Sequence, residues 1–136
     1  MKNFYVVGNN TSKSLSPTIF NYWFKKYKIK AKYGYLEWKK ESFDKQIKKT
    51  LLDESVFGLN ITIPFKQRIM KHLQVFDKHS KNINAVNCVS IKKKIRGFNT
   101  DWSGYYKTLP AKIKKSKDSN ILLIGYGGAA LAIHYV

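Results

Sequence analysis

The sequence predicts a mixed α/β fold in which a mainly parallel β-sheet is flanked by helices. Two observations support this prediction: β-favouring apolar runs alternate with segments of helical apolar spacing, and polar motifs follow several of the predicted strands. Such alternation is typical of βαβ units, whose parallel strands are joined by crossover helices. The chain has 136 residues, 43% of them hydrophobic, so it is long enough to bury a core.

The first part of the chain alternates strand and helix three times. We predict strands at residues 4–7, 31–38 and 56–61, and helices at residues 17–27, 42–52 and 65–76. Pro17 suits the first turn of the first helix, with Ser16 as its N-cap. The second helix has Phe43, Ile47 and Leu51 on one face. Pro64 ends the third strand because proline has no backbone N–H to donate.

The second part contains two more strands, a helix and a change of composition. We predict strands at residues 84–91 and 94–98, a helix at residues 101–109, and a polar, lysine-rich linker at residues 111–119. The linker separates a domain at residues 1–110 from residues 120–136. Ile121–Ile124 is a continuous apolar run before a glycine turn, which is typical of the first strand and helix start of a Rossmann-type domain.

The glycine turn is a candidate dinucleotide cradle. Gly125, Gly127, Gly128 and Ala129 follow the apolar run, so the turn can close tightly and bring backbone N–H groups to a pyrophosphate. A tight strand-to-helix turn without a ligand is the alternative. The sequence stops at Val136, within the predicted helix, so we expect a truncated protein that does not complete a cofactor site by itself.

The charge predicts negatively charged partners. There are 26 Lys and Arg residues and 8 Asp and Glu residues, a net charge of +18. Residues 22–40 interleave aromatic residues with lysines, as in proteins that stack on single strands. However, the only arginines are Arg68 and Arg96, and arginine is the residue best suited to phosphate and base contacts. We therefore expect no nucleic-acid partner, although a basic nucleic-acid-binding module stays open as an alternative with salt-sensitive binding.

We predict a cytoplasmic protein that has no membrane segment and no metal site. The prediction uses its cysteine content, its apolar runs and the spacing of its histidines. Cys88 is the single cysteine, which suits a reducing compartment. The N-terminal apolar run is too short for a signal peptide, and residues 121–133 fall short of the ~20 apolar residues that span a bilayer. The three histidines, at positions 72, 79 and 134, do not have the spacing of metal ligands.

Four polar motifs lie where predicted strands end. They are SKSLSP (12–17), NITIPFK (60–66), NAVNCV (84–89) and GFNTDWSG (97–104). Ligands of open parallel sheets bind beyond the carboxyl ends of the strands, so these motifs can converge. Each motif also has a simpler interpretation, with Ser16 and Asp101 as helix N-caps, Asn60 and Thr62 as turn residues, and Asn87 as a hydrogen-bonded strand residue.

Together with the glycine turn, the four motifs resemble shikimate dehydrogenases, in the same order and spacing, over essentially all 136 residues. The resemblance implies NADPH-dependent, reversible reduction of 3-dehydroshikimate to shikimate in aromatic amino-acid biosynthesis, with NADP as cofactor and a small-molecule substrate. A dehydrogenase that also accepts quinate is an alternative within the same resemblance. A homodimer of the full-length protein is also left open.

The resemblance implies a role for each motif residue. The residues that hold the substrate carboxylate are Ser14 and Ser16. The residues that meet ring hydroxyls are Asn60, Thr62, Asn87 and Asp101. The catalytic pair is Lys66 and Asp101. The start of the pyrophosphate loop is Gly125, Gly127, Gly128 and Ala129.

A few positions depart from the family pattern. Asn84 stands where the family usually has glycine, and asparagine is the non-glycine residue that best tolerates a left-handed backbone. Cys88 stands where threonine is usual. In the glycine turn, Tyr126 replaces a smaller residue and Leu131 stands at a frequent arginine position. The last two departures concern the geometry of the nucleotide site and leave the substrate site intact.

Overall fold

The centre of the fold is a sheet of six strands, seen in a computed structural model that describes residues 1–116 and 120–136. The strands are β1 (Lys2–Gly8), β2 (Ala31–Glu37), β3 (Val56–Ile61), β4 (Val75–Phe76), β5 (Cys88–Ile91) and β6 (Ile95–Phe98). Their order is β2-β1-β3-β5-β6-β4. β1 is parallel to β2 and β3, and β4 is parallel to β6, whereas β5 is antiparallel to β3 and β6. The predicted mainly parallel sheet is confirmed, and β5 is the strand that runs against the other five described strands.

Different helices cover the two faces of this sheet, among the six α-helices and one 3₁₀ helix of the described residues. They are α1 (Ser16–Lys26), α2 (Phe43–Leu51), α3 (Lys78–Ile83), α4 (Asp101–Thr108), α5 (Ala111–Lys115), α6 (Gly128–His134) and a 3₁₀ helix (Arg68–His72). Strand β1 shows which helix lies on which face, because successive side chains of a strand point to opposite faces of the sheet. Phe4 contacts Phe24 of α1, whereas Val7 belongs to the core that α2 completes.

The main core lies between the sheet and α2. Phe43, Ile47 and Leu51 recur every four residues, and all three are buried, as their helical spacing predicts. Phe43 stacks on Phe65, with ring centroids 4.1 Å apart. Burying a side chain of this size contributes roughly 1.5–3 kcal/mol, so the Phe43–Phe65 pair anchors the connection that follows β3.

The antiparallel hairpin brings the polar motifs to one end of the sheet. Cys88, the first residue of β5, lies opposite Asn60 near the end of β3, and it also pairs with Phe98 at the end of β6. The Ile61 N–H donates to the Asn87 carbonyl at 2.8 Å, and the Asn87 N–H donates to the Phe98 carbonyl at 3.0 Å. The residues just before β5 therefore adjoin the residues just after β3 and β6.

The close approach of two loops at the end of β1 requires a glycine. A Cβ atom at Gly8 would lie 2.5 Å from Thr62 Cγ2 and 2.8 Å from Thr11 Cγ2. Real Cβ atoms do not come so near to other atoms, since the packing of protein interiors leaves no such overlap. Gly8 thus lets the loop after β1 pass directly against the end of β3.

The helix predicted at residues 65–76 is wrong. The segment forms only the 3₁₀ helix Arg68–His72, and Leu73 is extended, with φ −116° and ψ 145°. Phe65, Ile69 and Leu73 are buried, but Val75 and Phe76 pair in parallel with Arg96 and Gly97 of β6. Ladder hydrogen bonds to a neighbouring strand outweigh the local helical pattern here.

Helix α3 and the residues after it also differ from the prediction. The sequence reasoning missed α3, although Asp77 is its N-cap and accepts the Ser80 N–H at 3.0 Å. The strand predicted at residues 84–91 covers only Cys88–Ile91. Asn84 ends α3 in the left-handed region, at φ 57° and ψ 38°, as expected for an asparagine in place of glycine.

The C-terminal segment forms the predicted helix without the predicted strand. The prediction of a strand at residues 121–124 is wrong, because none of the six described strands pairs with them and Leu122 and Ile124 are 87% and 88% exposed. In the predicted linker, Ala111–Lys115 forms α5, and residues 117–119 lie outside the described part of the chain. The division into domains stays a prediction.

Helix α6 packs on the substructure formed by α3 and α4. Ala132 is fully buried against Ile83 and Ala85. Trp102 of α4 and Tyr135, the C-cap of α6, pack around this small core, with ring centroids 5.9 Å apart. The packing holds the glycine turn close to the end of the sheet where the polar motifs meet.

Candidate active site

Seven predicted side chains line one cavity of about 370 Å³ at the end of the sheet. They are Ser14, Ser16, Asn60, Thr62, Lys66, Asn87 and Asp101. We call this space the polar cavity; its remaining lining comes from Val6, Asn10, Thr11, Phe20 and Ile61. The structure therefore brings together residues that lie up to 87 positions apart in the chain, from Ser14 to Asp101.

Lys66 and Asp101 form an ion pair in the polar cavity. Lys66 Nζ lies 2.8 Å from Asp101 Oδ2, and the two side chains are 14% and 31% exposed. The Lys66 backbone is fixed by a hydrogen bond, since its carbonyl accepts the Val86 N–H at 2.8 Å. Phe65, the preceding residue, is fully buried. Lys66 is thus a fixed, partly buried cation and differs from the many lysines on the surface.

Asp101 is oriented by a second set of bonds. Its other carboxylate oxygen, Oδ1, accepts a hydrogen bond from Asn87 Nδ2 at 2.7 Å. Its backbone N–H donates to Asn99 Oδ1 at 3.0 Å, and Asn99 is itself buried and donates to the Ala85 carbonyl at 2.9 Å. The interpretation of Asp101 as a helix N-cap is wrong, because Thr100 holds that position and the Asp101 carboxylate faces Lys66 and Asn87.

The Asn87 amide is fixed from both ends. Its Nδ2 also donates to Thr100 Oγ1 at 2.9 Å, and its Oδ1 accepts the Thr100 N–H at 2.9 Å. These bonds determine which end of the amide faces Asp101. Sequence reasoning missed Asn99 and Thr100 as supporting residues, although both lie in the GFNTDWSG motif immediately before Asp101.

The two serines lie at the start of α1. Ser16 is the first residue of the helix and Leu15 is its N-cap, so the prediction of Ser16 as the cap is wrong. Instead the Ser14 hydroxyl accepts the Ser16 N–H at 3.2 Å, because the Ser14 N–H donates to the Thr11 carbonyl at 3.0 Å and folds the loop back. Both serines therefore stand on a short, hydrogen-bonded turn at the polar cavity.

The loop before the serines is anchored to β2. The Ser12 N–H and hydroxyl donate to Glu37 Oε2 at 2.9 and 2.8 Å, and these bonds lower the pKa of Glu37. Thr11 is 1% exposed and donates its hydroxyl to the Leu36 carbonyl at 3.0 Å. The turn that carries Ser14 is held in place on both sides, which favours a preformed site.

Tyr33 is a cavity neighbour that sequence reasoning missed. Its phenol donates to Asn60 Oδ1 at 2.7 Å. Asn60 also donates from Nδ2 to the Asn87 carbonyl, at 3.5 Å. Strand alternation places Tyr33 and Tyr35 on the same face of β2, so the sequence has no signal that separates the buried tyrosine from the exposed one.

The glycine turn lies beside the polar cavity and makes one contact with it. Gly125 has φ 118°, a conformation that L side chains rarely adopt, and a Cβ atom at Gly127 would meet no described atom within 4 Å. Gly128 is different: a Cβ there would lie 2.8 Å from Lys66 Cβ and 3.1 Å from Lys66 Cδ. The turn is thus open on one side and packed on the stem of Lys66 on the other.

The polar cavity has the chemistry of a site for a small anion that carries hydroxyl groups. Hydroxyl donors lie on the α1 side, amide groups lie at the ends of β3 and β5, and a cation with a proton to donate lies beside a carboxylate. The volume of about 370 Å³ suits a small molecule. Such a set of groups can orient a ring and move a proton at one of its oxygens.

Two further findings concern other kinds of site. Within residues 1–116 and 120–136, no group of three or more His, Cys, Asp and Glu side chains could hold a metal ion. Over the same residues, no helix has the length and apolar character needed to cross a membrane.

Comparison with known proteins gives a matching family and named relatives. The family model of the shikimate dehydrogenase substrate binding domain matches residues 6–89. Shikimate dehydrogenase of Thermotoga petrophila is 38% identical over 132 residues, which are 97% of this chain and 49% of the relative. Shikimate dehydrogenase (NADP(+)) of Clostridium beijerinckii is 36% identical over 134 residues, 98% of this chain and 49% of the relative. The chain spans about half the length of the curated relatives it matches.

Solved structures agree with this similarity. The crystal structure of shikimate dehydrogenase from Aquifex aeolicus has a TM-score of 0.88 and 34% identity, over 99% of this chain and 51% of that one. Shikimate 5-dehydrogenase from Thermus thermophilus, in complex with NADP(H) and shikimate, has a TM-score of 0.83 and 26% identity, over 99% of this chain and 51% of that one.

Proposed function

The chain belongs to the family of shikimate dehydrogenase substrate-binding domains, and from this premise we propose that the whole protein is a shikimate dehydrogenase. It would interconvert 3-dehydroshikimate and shikimate, with NADP as cofactor, in the route to chorismate and the aromatic amino acids. The observation that carries the proposal is the Lys66–Asp101 ion pair, at 2.8 Å, in a cavity that also holds the other five predicted substrate contacts.

The proposed orientation of the substrate follows from the chemistry of the cavity walls. Ser14 and Ser16 offer hydroxyl protons to the substrate carboxylate, and the positive field of the chain favours the approach of an anion. The ring hydroxyls then meet Asn60, Thr62, Asn87 and Asp101. Because an amide donates and accepts while a carboxylate only accepts, these side chains distinguish hydroxyl positions on the ring.

Lys66 has the role of proton donor and acceptor in this proposal. Reduction of a ketone places negative charge on its oxygen, and an ammonium group beside that oxygen stabilises the charge and supplies the proton. Asp101 Oδ2, 2.8 Å from Lys66 Nζ, holds the ammonium in position, while Asn87 fixes the other oxygen of the carboxylate. Asp101 thus positions both the lysine and a substrate hydroxyl.

The glycine turn is the proposed start of the cofactor site. When bound, NADPH supplies the hydride for the ketone carbon. The open face of the turn at Gly125 and Gly127 fits a pyrophosphate, since backbone N–H groups there can be approached without side chains. Gly128 and Ala129 complete the set, and the contact of Gly128 with the stem of Lys66 is consistent with a cofactor that reaches the polar cavity.

Turnover by the whole protein tests the proposal. We expect shikimate-dependent reduction of NADP⁺, and we expect Lys66→Ala to lower kcat by about 10²–10⁴-fold, the usual contribution of a general acid–base group. The KM for shikimate should change much less than kcat. Absorbance of the NADPH formed, at several shikimate concentrations, gives both parameters.

The matched control is Lys71→Ala, an exposed lysine on the 3₁₀ helix after Lys66. It removes the same charge outside the polar cavity and should leave kcat unchanged. Equal rates for wild type and Lys66→Ala would refute the assigned chemistry. Faster turnover of quinate than of shikimate would instead favour the dual-specific alternative.

The proposal also covers the location of the whole protein and its state of association. A cytoplasmic location is supported by the single Cys88, a side chain suited to a reducing compartment. Localisation of a tagged whole protein would test it. A homodimer of the whole protein stays a prediction, for which light scattering gives the mass in solution.

A further inference from the structure

We propose that Tyr33 is a positioning residue of the active site, which orients the Asn60 amide so that Asn60 presents an N–H to the substrate. The inference rests on the proposed function for the identity of the substrate. The orientation of the amide itself is a property of the protein without ligand.

Tyr33 is held rigidly in β2. The Asn21 side chain makes two hydrogen bonds with the Tyr33 backbone. The Tyr33 N–H donates to Asn21 Oδ1 at 2.9 Å, and Asn21 Nδ2 donates to the Tyr33 carbonyl at 2.8 Å. Its ring stacks on Phe20, with centroids 4.6 Å apart and planes at 6°. The residue is 3% exposed. A phenol fixed in this way can determine the position of its hydrogen-bond partner.

The bond to Asn60 uses the acceptor end of the amide. The Tyr33 hydroxyl donates to Asn60 Oδ1 at 2.7 Å, and one N–H of Nδ2 points to the Asn87 carbonyl at 3.5 Å. An amide nitrogen has two N–H groups, so the second N–H is the group that Asn60 offers to the polar cavity it lines. The terminal torsion of asparagine is broad and nearly two-fold, and without the phenol only the long bond to the Asn87 carbonyl would favour this orientation.

The phenol remains a donor over the whole working range of pH. Burial raises the pKa of Tyr33 above its ordinary value, Cys88 raises it further, and the Ser16 hydroxyl opposes the shift. The Tyr33 oxygen therefore keeps its proton, and one of the two lone pairs of the Asn60 oxygen stays occupied. A substrate hydroxyl at the Asn60 N–H accepts from it and donates its own proton elsewhere, for which Asp101 is the carboxylate acceptor in the same cavity.

Tyr33→Phe in the whole protein tests the inference, because it removes the hydroxyl and keeps the ring that stacks on Phe20 and lines an apolar cavity of about 510 Å³. We expect the KM for shikimate to rise by about fivefold to tenfold, the effect of losing one hydrogen bond, while kcat changes less than about twofold. Tyr35→Phe is the matched control: it makes the same change on the same strand at a side chain that is 50% exposed, and should change neither parameter.

A double-mutant cycle with Asn60→Ala separates positioning from a general structural effect. If Tyr33 acts through the amide, Tyr33→Phe makes no further change to KM once Asn60 is alanine. An unchanged KM in Tyr33→Phe alone, or a full effect in the Asn60→Ala background, would overturn the inference. Thermal unfolding of each variant shows that the comparison is made between folded proteins.

A measurement without substrate distinguishes failure of the inference from failure of the proposed function. The side-chain NH₂ resonances of Asn60, observed by NMR in the whole protein without ligand, should shift and broaden in Tyr33→Phe and stay unchanged in Tyr35→Phe. If wild type does not turn over shikimate but shows this change, the proposed function fails and the orientation of Asn60 stands. If the resonances do not change, the orientation by Tyr33 is refuted whatever the substrate.

Discussion

A single carboxylate, Asp44, joins α2 to the 3₁₀ helix. Arg68 donates to both of its oxygens, and His72 Nε2 lies 2.7 Å from Asp44 Oδ1. The hydrogen bonds from Arg68, followed by those from His72, lower the pKa of Asp44 to about 2, and Asp44 in turn raises the pKa of Arg68. The Arg68 guanidinium also lies over the Phe43 ring, 5.7 Å from its centroid.

The lowered pKa predicts a specific pH dependence of stability. Unfolded aspartate titrates near ~3.9, so the stabilisation by Asp44 is fully present above that pH and is lost as the pH falls toward the folded value of about 2. We expect Asp44→Asn to lower the thermal unfolding midpoint at neutral pH and to flatten its fall in acid. Unfolding scans from neutral pH down to the acid limit of solubility measure both effects.

The control for Asp44→Asn is Glu54→Gln, which neutralises an exposed carboxylate in the turn before β3. Glu54→Gln should leave the acid profile close to that of wild type. An acid profile of Asp44→Asn parallel to wild type would show that other carboxylates cause the acid loss of stability.

At the scale of single residues, the sequence predicted backbone conformation better than side-chain contacts. Asn84 was expected to tolerate a left-handed backbone, and it has φ 57°. By contrast, nothing in the local sequence distinguishes Tyr33 from Tyr35, because strand alternation puts both on one face. Only the position of α1, which packs Phe20 on Tyr33 and leaves Tyr35 half exposed, creates the difference.

Among the elements, α6 connects the glycine turn to the rest of the fold through a close-packed contact. Ala132 is fully buried against Ile83 and Ala85. An aromatic group supports it, since the His79 ring stacks on Trp102 at 4.1 Å and His79 Nδ1 lies 3.0 Å from the Tyr135 hydroxyl. A larger side chain at position 132 has no space to occupy.

Ala132→Leu should therefore displace α6 and the turn before it. Overpacking a filled core costs about 1–3 kcal/mol. We expect a lower unfolding midpoint together with a shift of the Gly128 amide resonance in NMR spectra, because Gly128 begins α6. Ala111→Leu, at an exposed position of α5, is the control for the same substitution. A stable Ala132→Leu variant with an unshifted Gly128 signal would contradict the packing described for α6.

At this scale, local patterns predicted the elements of the first 61 residues and failed for the segment after Pro64. The predicted alternation of strands and helices in the first 61 residues is confirmed. Phe65, Ile69 and Leu73 have helical spacing, yet β4 forms only two residues after Leu73. Its formation depends on the neighbouring strand β6, and no local pattern can show that dependence.

On the scale of the whole molecule, the excess of positive charge is the largest electrostatic feature. The chain has a net charge of +18, and many of its lysines lie on the surface. Like charges repel one another in the compact state more than in the expanded chain, so the net charge opposes folding. The same field favours the approach of anions to the chain.

We therefore expect salt to stabilise the protein. Raising NaCl from about 0.1 M to about 1 M shortens the Debye length from ~10 Å to ~3 Å and screens the repulsion more than it weakens the few close ion pairs. The thermal unfolding midpoint should rise through this series, and KCl at equal ionic strength should give the same rise. A midpoint that falls with salt would mean that attractive pairs dominate the electrostatics of the folded state.

For the molecule as a whole, the location of the candidate site was predictable and its internal bonding was not. The motifs that follow β1, β3 and β6 converge because the ends of these strands share one edge of the sheet, whereas NAVNCV reaches that edge by preceding the antiparallel strand β5. The bonds among Asn87, Thr100 and Asp101 depend on the antiparallel position of β5 between β3 and β6. The sequence predicted two strands around the lysine turn but contained no information on where the hairpin would insert.

The contact between Gly128 and the stem of Lys66 has a consequence for recombination. A Cβ atom at position 128 would lie 2.8 Å from Lys66 Cβ, so the two positions are compatible only while one of them lacks a side chain. Gene fusions that replace the residues after position 110 must therefore keep a glycine at the position equivalent to 128. Residue 128 is thus constrained by a lysine 62 positions earlier in the chain, and the two positions do not vary independently.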